Sequence, residues 1–390
     1  MDTRVEDIRI EGGRVLIGNA LESTTVHLAP APGVISAVGS DAPARRRIDA
    51  DGLVVLPGIV DIHGDAFERQ IMPRPGVGFD LDIALVDTDR QVLANGITTV
   101  FHGVTWSWEP GLRGPDNARK MLEGIERLRP RLGADTRFHL RHETFNLEAE
   151  PEILQWLAGR RIGMMAFNDH MLIADETSPR SKKLAQMVER SGVTREEFLA
   201  LVERVRRRGN EVPASIERIA QAALAHGVPL LSHDDASPDQ RRWFRALGCR
   251  LAEFPTTVET AQEAAAEGDD IVLGAPNVVR GGSHIGWIDA KDMVRRGLCS
   301  VLASDYYYPA PLLAAFRLAA ENVVPLAAAW ALVSRTAAAA ARLADRGTIA
   351  RGQRADLILV DTRDERPRVV ATIVAGRVVH LVDAERIASS

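Results

Sequence analysis

A histidine and an aspartate two residues apart, His63 and Asp65, close the stretch Gly58-Ile59-Val60-Asp61-Ile62-His63-Gly64-Asp65. In a strand, residues i and i+2 share a face. Both side chains would then project past the strand's C-terminal end, with Gly64 between them leaving room for backbone to approach a ligand. An imidazole nitrogen beside a carboxylate oxygen suits zinc, manganese or iron. Similar residues recur at the ends of other apolar runs: Arg141-His142-Glu143, Asn168-Asp169-His170, Ser232-His233-Asp234-Asp235, Glu253-Phe254-Pro255 and Ser304-Asp305. Their repetition points to a metal site.

Such residues need a frame that brings strand ends together. Between Pro57 and about residue 345, short apolar runs alternate with longer amphipathic stretches, the texture of βα units around a parallel sheet. The runs cover 59–63, 97–102, 137–142, 162–167, 229–232, 250–254, 271–274 and 300–304. Eight is the number that closes a (β/α)8 barrel, whose active sites gather at the C-terminal ends of the strands. Helices fit between them, such as Asp82 to Ala94, Asp116 to Leu128 and Val258 to Ala266. The fourth connection is far longer than a barrel needs, with helical texture at 181–191 and 194–208, and reads equally as a functional cover or a plain insertion.

Both ends of the chain look different. Residues 7–10, 14–17, 24–28, 34–38 and 53–56 read as short strands punctuated by Gly and Pro, and so do 356–360, 369–374 and 377–381. Two half-sized sets of strands are best explained as one small β-sandwich built from both termini, residues 1–56 plus 346–390, around a barrel spanning 57–345. The expected fold class is therefore α/β, a TIM-like barrel with a composite β-sandwich.

The seventh run leads into Gly274-Ala275-Pro276-Asn277-Val278-Val279-Arg280-Gly281-Gly282-Ser283-His284. Consecutive glycines let N–H groups converge on an anion, and Arg280 adds a two-pronged donor for phosphate oxygens. Barrels often bind phosphate after strands seven and eight. Asn277, Arg280, Gly281, Gly282, Ser283 and His284 are thus expected to bind substrate. Arg74, in the stiff turn Met72-Pro73-Arg74-Pro75-Gly76, would face the same mouth.

The bulk properties exclude other classes. With 390 residues and 46% hydrophobic side chains, the chain can bury a large core. A formal charge of −5 and a pI near 6.1 give no basic field for nucleic acid or an anionic membrane. No apolar run approaches the roughly 18 residues of a spanning helix, and no secretory leader follows Met1, so a cytoplasmic location is expected. Cys249 and Cys299 imply no disulfide framework.

The terminal strands, the PGIVDIHGD of the first run and the SD of the eighth resemble the amidohydrolase superfamily of metal-dependent hydrolases. The pieces MPRPGV, NGITTV, LRHE, SHDDA, EFPTT, GAPNVVRGGSH and SDYYYPAPLL are similar to one branch, the diphosphatases of α-D-ribose 1-methylphosphonate 5-triphosphate. The likeness runs from about residue 53 to 382. It implies that His63, Asp65, His233 and Asp305 are metal ligands, with Asp305 also accepting a proton from the attacking water. Asp65 stands where the superfamily usually has a second histidine. No lysine lies at a strand end to serve as its bridging carboxylated lysine, which leaves Glu143 as the substitute and His170 as a further ligand.

The expected function is hydrolysis of the sugar triphosphate to the 5-phosphate and pyrophosphate, by water activated on one or two divalent ions, zinc first and manganese or iron next. The expected partner is a phosphorylated sugar, in a homo-oligomer, with neither nucleic acid nor membrane. Two rival readings stay open: a deaminase or amide hydrolase on the same fold, and a metal-stabilised binding or assembly protein without turnover.

Overall fold

Eight parallel strands, Ile59–Gly64, Ile97–Trp106, Asp135–Glu143, Met164–Asn168, Leu230–His233, Leu251–Glu253, Asp270–Gly274 and Val301–Ala303, form the central sheet of the computed structural model. The model describes residues 7–74, 76–171, 182–282, 288–364 and 366–389. The strands are hydrogen-bonded in sequence order. At the two ends of that order, the Asp305 N–H donates to the His63 carbonyl at 2.8 Å and the Asp65 N–H donates to the Asp305 carbonyl at 2.9 Å. These bonds draw the sheet into a nearly closed barrel. All ten residues of Ile97–Trp106 are buried. Burial on both faces is why parallel strands read as unbroken apolar runs.

The helices around the barrel follow from local signals. Asp80 caps the helix Leu81–Ala94 by accepting from the N–H groups of Asp82 and Ile83. The helix Pro115–Leu128 buries Ala118, Met121, Leu122, Ile125 and Leu128, the three- and four-residue spacing of a single apolar stripe.

Within the long connection after the fourth strand lie the helices Lys182–Ser191 and Arg195–Arg206, the second opened by a reciprocal cap between Thr194 and Glu197. These helices bury Leu184, Met187, Phe198 and Val202 together with Met171. Trp108, in the loop after the second strand, lies with its ring 5.6 Å from that of Phe198. The Thr105–Pro110 stretch thus serves as the dock for the insertion.

The terminal strands form two sheets. One holds Ile8–Glu11, Val26–Ala29, Val34–Val38, Arg46–Asp49 and Ile387–Ser389; the other holds Arg14–Ile17, Ala20–Ser23, Leu53–Pro57, Leu357–Asp361, Arg368–Val374 and Arg377–Leu381. Ile8, Val26 and Ile35 of the first share one apolar cluster with Val55, Leu357, Leu359 and Val370 of the second. Three of these strands escape the sequence: Ala20–Ser23 and Arg46–Asp49 are largely exposed and polar, and Ile387–Ser389 is short and lies at a sheet edge.

The loop after the seventh strand departs from expectation. Residues Ala275–Arg280 form a short helix that stops at Gly281, whose φ is +81°. The N–H groups of Gly281 and Gly282 both donate to the Asn277 carbonyl, at 3.2 and 3.0 Å. They satisfy the helix C-terminus and do not converge into an anion nest.

Candidate metal centre

The first strand delivers His63 and Asp65 to the barrel mouth, and the eighth delivers Asp305. A nitrogen of His63 and one carboxylate oxygen each of Asp65 and Asp305 lie within 4.8 Å of one another. Gly64 between the two ligand-type residues is obligatory, since a Cβ there would stand 2.8 Å from Oδ2 of Asp61 and 2.9 Å from Oγ of Ser304. Asp61 is fully buried and accepts from the Ser304 N–H at 2.9 Å and from the Ser304 hydroxyl at 2.5 Å. It ties the first strand to the eighth beneath the site. Burial, offset in part by Ser304, leaves its carboxyl at about 6.

His63 is oriented from below. Its Nδ1 lies 2.7 Å from Oε1 of Glu253, a fully buried carboxylate at the end of the sixth strand. Burial first, then the charge of Arg141, hold the imidazole well below its ordinary pKa, so it is neutral. With the Nδ1 proton donated to Glu253, Nε2 carries the free lone pair. Gly103 of the second strand keeps that nitrogen accessible: a Cβ there would sit 3.6 Å from it. A carboxylate behind an imidazole is the usual outer arrangement of a metal-bound histidine. One nitrogen and two carboxylate oxygens in one cluster suit a divalent zinc, manganese or iron ion. The residues fit such an ion.

The other expected ligands divide. Glu143 and His170 bond to each other through His170 Nδ1, and the His170 N–H donates to Glu143 Oε2 at 3.2 Å. Burial pushes Glu143 up, but His170 more than offsets it and holds the carboxyl at about 2. Among the described residues neither joins a cluster of three donors. The pair bonds to itself beside the site, with the His170 ring 6.2 Å from that of His233. His233, Glu253 and His63 also come within 4.8 Å of one another, but Glu253 already serves His63. His233 turns Nδ1 toward Asp234 Oδ2 at 3.1 Å and Nε2 toward Nη2 of Arg141 at 3.2 Å.

Arg141, named in the sequence only as part of the polar end of the third run, is assigned no task there. It is 4% exposed, and its Nη1 donates to Asp65 Oδ2 at 3.1 Å. A second arginine, Arg113, has Nη2 3.9 Å from the same oxygen and grips Glu68 with two bonds of 2.9 Å. Arg190, from the insertion, pairs through Nε with the buried Glu109 at 2.6 Å. Ion pairs thus line the mouth from the first strand out to the insertion.

Asp305 is held in the left-handed region, φ +53°. Burial first, and the neighbouring Asp65 second, raise its carboxyl to about 7.

Of the expected phosphate binders, Arg280 is exposed and reaches the Tyr306 hydroxyl at 3.4 Å. Arg74 is exposed on a turn closed by the Val77 N–H on its carbonyl. Asn277 directs both its polar atoms to backbone, Nδ2 to the Ile288 carbonyl at 3.0 Å and Oδ1 to the Ala290 N–H at 3.1 Å. Ser283 and His284 lie outside the described residues.

Over 338 residues, 83% of this chain and 88% of the relative, the sequence is 34% identical to the α-D-ribose 1-methylphosphonate 5-triphosphate diphosphatase of Escherichia coli. The model of the amidohydrolase family matches residues 205–380. This chain belongs to the amidohydrolase family. Solved structures agree on the fold. The dihydropyrimidinase of Brevibacillus agri superposes with a TM-score of 0.64 at 11% identity, covering 96% of this chain and 95% of that one. Molinate hydrolase gives 0.64 at 17% identity, covering 96% and 94%. This amidohydrolase is a metal-dependent hydrolase on the branch of the Escherichia coli enzyme. Among its described residues, no helix is long and apolar enough to cross a membrane.

Proposed function

We propose that this amidohydrolase hydrolyses the triphosphate of α-D-ribose 1-methylphosphonate 5-triphosphate to the 5-phosphate and pyrophosphate. The observation that carries the reading is the 34% identity to an enzyme of that name along 83% of the chain, with the ligand-type residues of both the first and the eighth strand in one cluster. His63, Asp65 and Asp305 would hold a divalent ion, which when bound would supply Lewis acidity toward a phosphate oxygen and make water more acidic, from a pKa of about 15.7 to about 7. Asp305, at the end of the eighth strand beside that position, would take the proton of the attacking water. An oxygen–phosphorus bond forms at the phosphorus nearest the sugar, and the bond to the outer two phosphates breaks. Arg280, beside Tyr306 at the mouth, meets the leaving pyrophosphate.

Hydrolysis in ¹⁸O-labelled water tests the reading. Label is expected in the sugar 5-phosphate, with pyrophosphate released unlabelled. Label in orthophosphate, or turnover confined to cyclic amides such as dihydropyrimidines, would overturn it.

A further inference from the structure

The guanidinium of Arg141 lies where two donors of the mouth face each other. Nη1 donates to Asp65 Oδ2 at 3.1 Å and Nη2 to His233 Nε2 at 3.2 Å. His233 has its other ring nitrogen on Asp234 at 3.1 Å, so Nε2 is its only atom left for an ion, and Arg141 holds it. Glu253, the third donor on that side, is engaged through Oε1 with His63 at 2.7 Å, while its buried Oε2 has no partner among the described residues. The guanidinium cannot give up its charge in a protein, and at 4% exposure it has little water to screen it. Its Cδ lies 3.1 Å from where a Cβ on Gly103 would be, so it passes close to the second strand at a position with no side chain.

We infer that Arg141 fills a second cation position of this centre, so that the chain binds one divalent ion, on His63, Asp65 and Asp305, while His233 serves as an acceptor for Arg141 and not as a ligand. Two positive charges are useful to a hydrolase that works on a polyanion, one to activate water and one to steady the anionic group under attack. Here the second is covalently part of the third barrel strand and does not exchange with solvent. Arg141 also offers its buried Nε, which has no protein partner among the described residues, as a further donor at the same place.

This inference rests on the metal-hydrolase reading, and metal counting separates the two. Manganese(II) is titrated into apoprotein by equilibrium dialysis and followed by electron paramagnetic resonance. The wild type is expected to saturate at one ion per chain with an uncoupled six-line signal. Two ions with an exchange-coupled spectrum would overturn the inference and leave the hydrolase reading standing; no binding of any divalent ion would overturn both. His233→Asn, which removes Nε2 but keeps a donor near Nδ1, is expected to bind one ion within threefold of the wild-type Kd. Loss of the ion would show that His233 is a ligand and sink the inference. Arg141→Gln is expected to admit a second ion at millimolar manganese, and a folded variant that stays at one ion counts against it. If that variant does not fold, the wild-type count and the His233→Asn affinity decide.

Discussion

Glu253 Oε1 lies 2.7 Å from His63 Nδ1, inside the barrel and out of reach of water. The contact sets the tautomer of His63, aims Nε2 at Asp65 and Asp305, and makes the imidazole a better donor to an ion. Outer carboxylates of this kind are typically worth 10–100-fold in metal affinity, so Glu253→Gln should weaken binding by about that factor. The change keeps an acceptor for Nδ1, so the fold should survive. Calorimetric titration of apoprotein checks this, and an unchanged Kd would mean that Glu253 does no more than fill space.

Asp305→Asn keeps the size of the side chain and part of its coordination but removes the base. Turnover should fall by roughly 10²–10⁴-fold, the range for a lost general base. Metal content should fall far less. Wild-type turnover in the variant, measured as pyrophosphate release, would refute the assignment.

Burial holds His102 at about 3, against an ordinary histidine value of 6.5. The folded chain keeps this ring neutral, whereas the unfolded chain takes up a proton below about 6.5. Stability is therefore complete above that pH and drains away as pH falls, at about 1.4 kcal/mol per unit, or roughly 3 kcal/mol by pH 4. His102→Leu should flatten that part of the profile. Urea denaturation at pH 7 and pH 4.5 measures it; equal pH sensitivity in variant and wild type would remove His102 from the account.

Gly64→Ala would drive a methyl group to 2.8 Å from Asp61 Oδ2 and 3.0 Å from a ring carbon of Tyr308. Neither can retreat, Asp61 being held by Ser304 and Tyr308 being buried. An overpacking cost of about 1–3 kcal/mol is expected, with weakened metal binding because Asp65 is displaced. Thermal unfolding and metal titration report the two effects separately.

The insertion should be tied down by Arg190. In Arg190→Ala the buried Glu109 loses its partner, at a cost of about 3 kcal/mol, the lower end of the range for a broken buried pair because Arg190 is partly wet. The loss falls on the helices Lys182–Ser191 and Arg195–Arg206, so limited trypsin digestion should cut there faster while the barrel stays intact. Cleavage at the wild-type rate would contradict the docking role.

Most of the barrel is legible in the sequence because strands buried on both faces leave apolar runs and each run ends in polar residues. His63, Asp65 and Asp305 stand out for that reason. Arg141 and Glu253 do not reveal their tasks, since an arginine or a glutamate after a strand is ordinarily solvated. Only the fold turns them inward onto His233 and His63. Asp61 is hidden by its place in the middle of an apolar strand. The mutual bonding of Glu143 and His170 is also a matter of three dimensions, for each residue alone has the chemistry of a ligand. The Arg280-Gly281-Gly282 run misleads for a different reason. The same glycines that could shape an anion nest also end helices, and Ala275–Arg280 is too short for its periodicity to decide between them.

Asp61 and Ser304, joined beneath the site, stand 243 positions apart in the chain. A chain emerging from the ribosome folds its N-terminal part first, and until Ser304 and Asp305 arrive it owns only two of the three donors. On the ligand set proposed above, the ion has its full set of donors only once the last barrel strand is in place, and a chain truncated before that strand lacks the carboxylate proposed to take the proton from water.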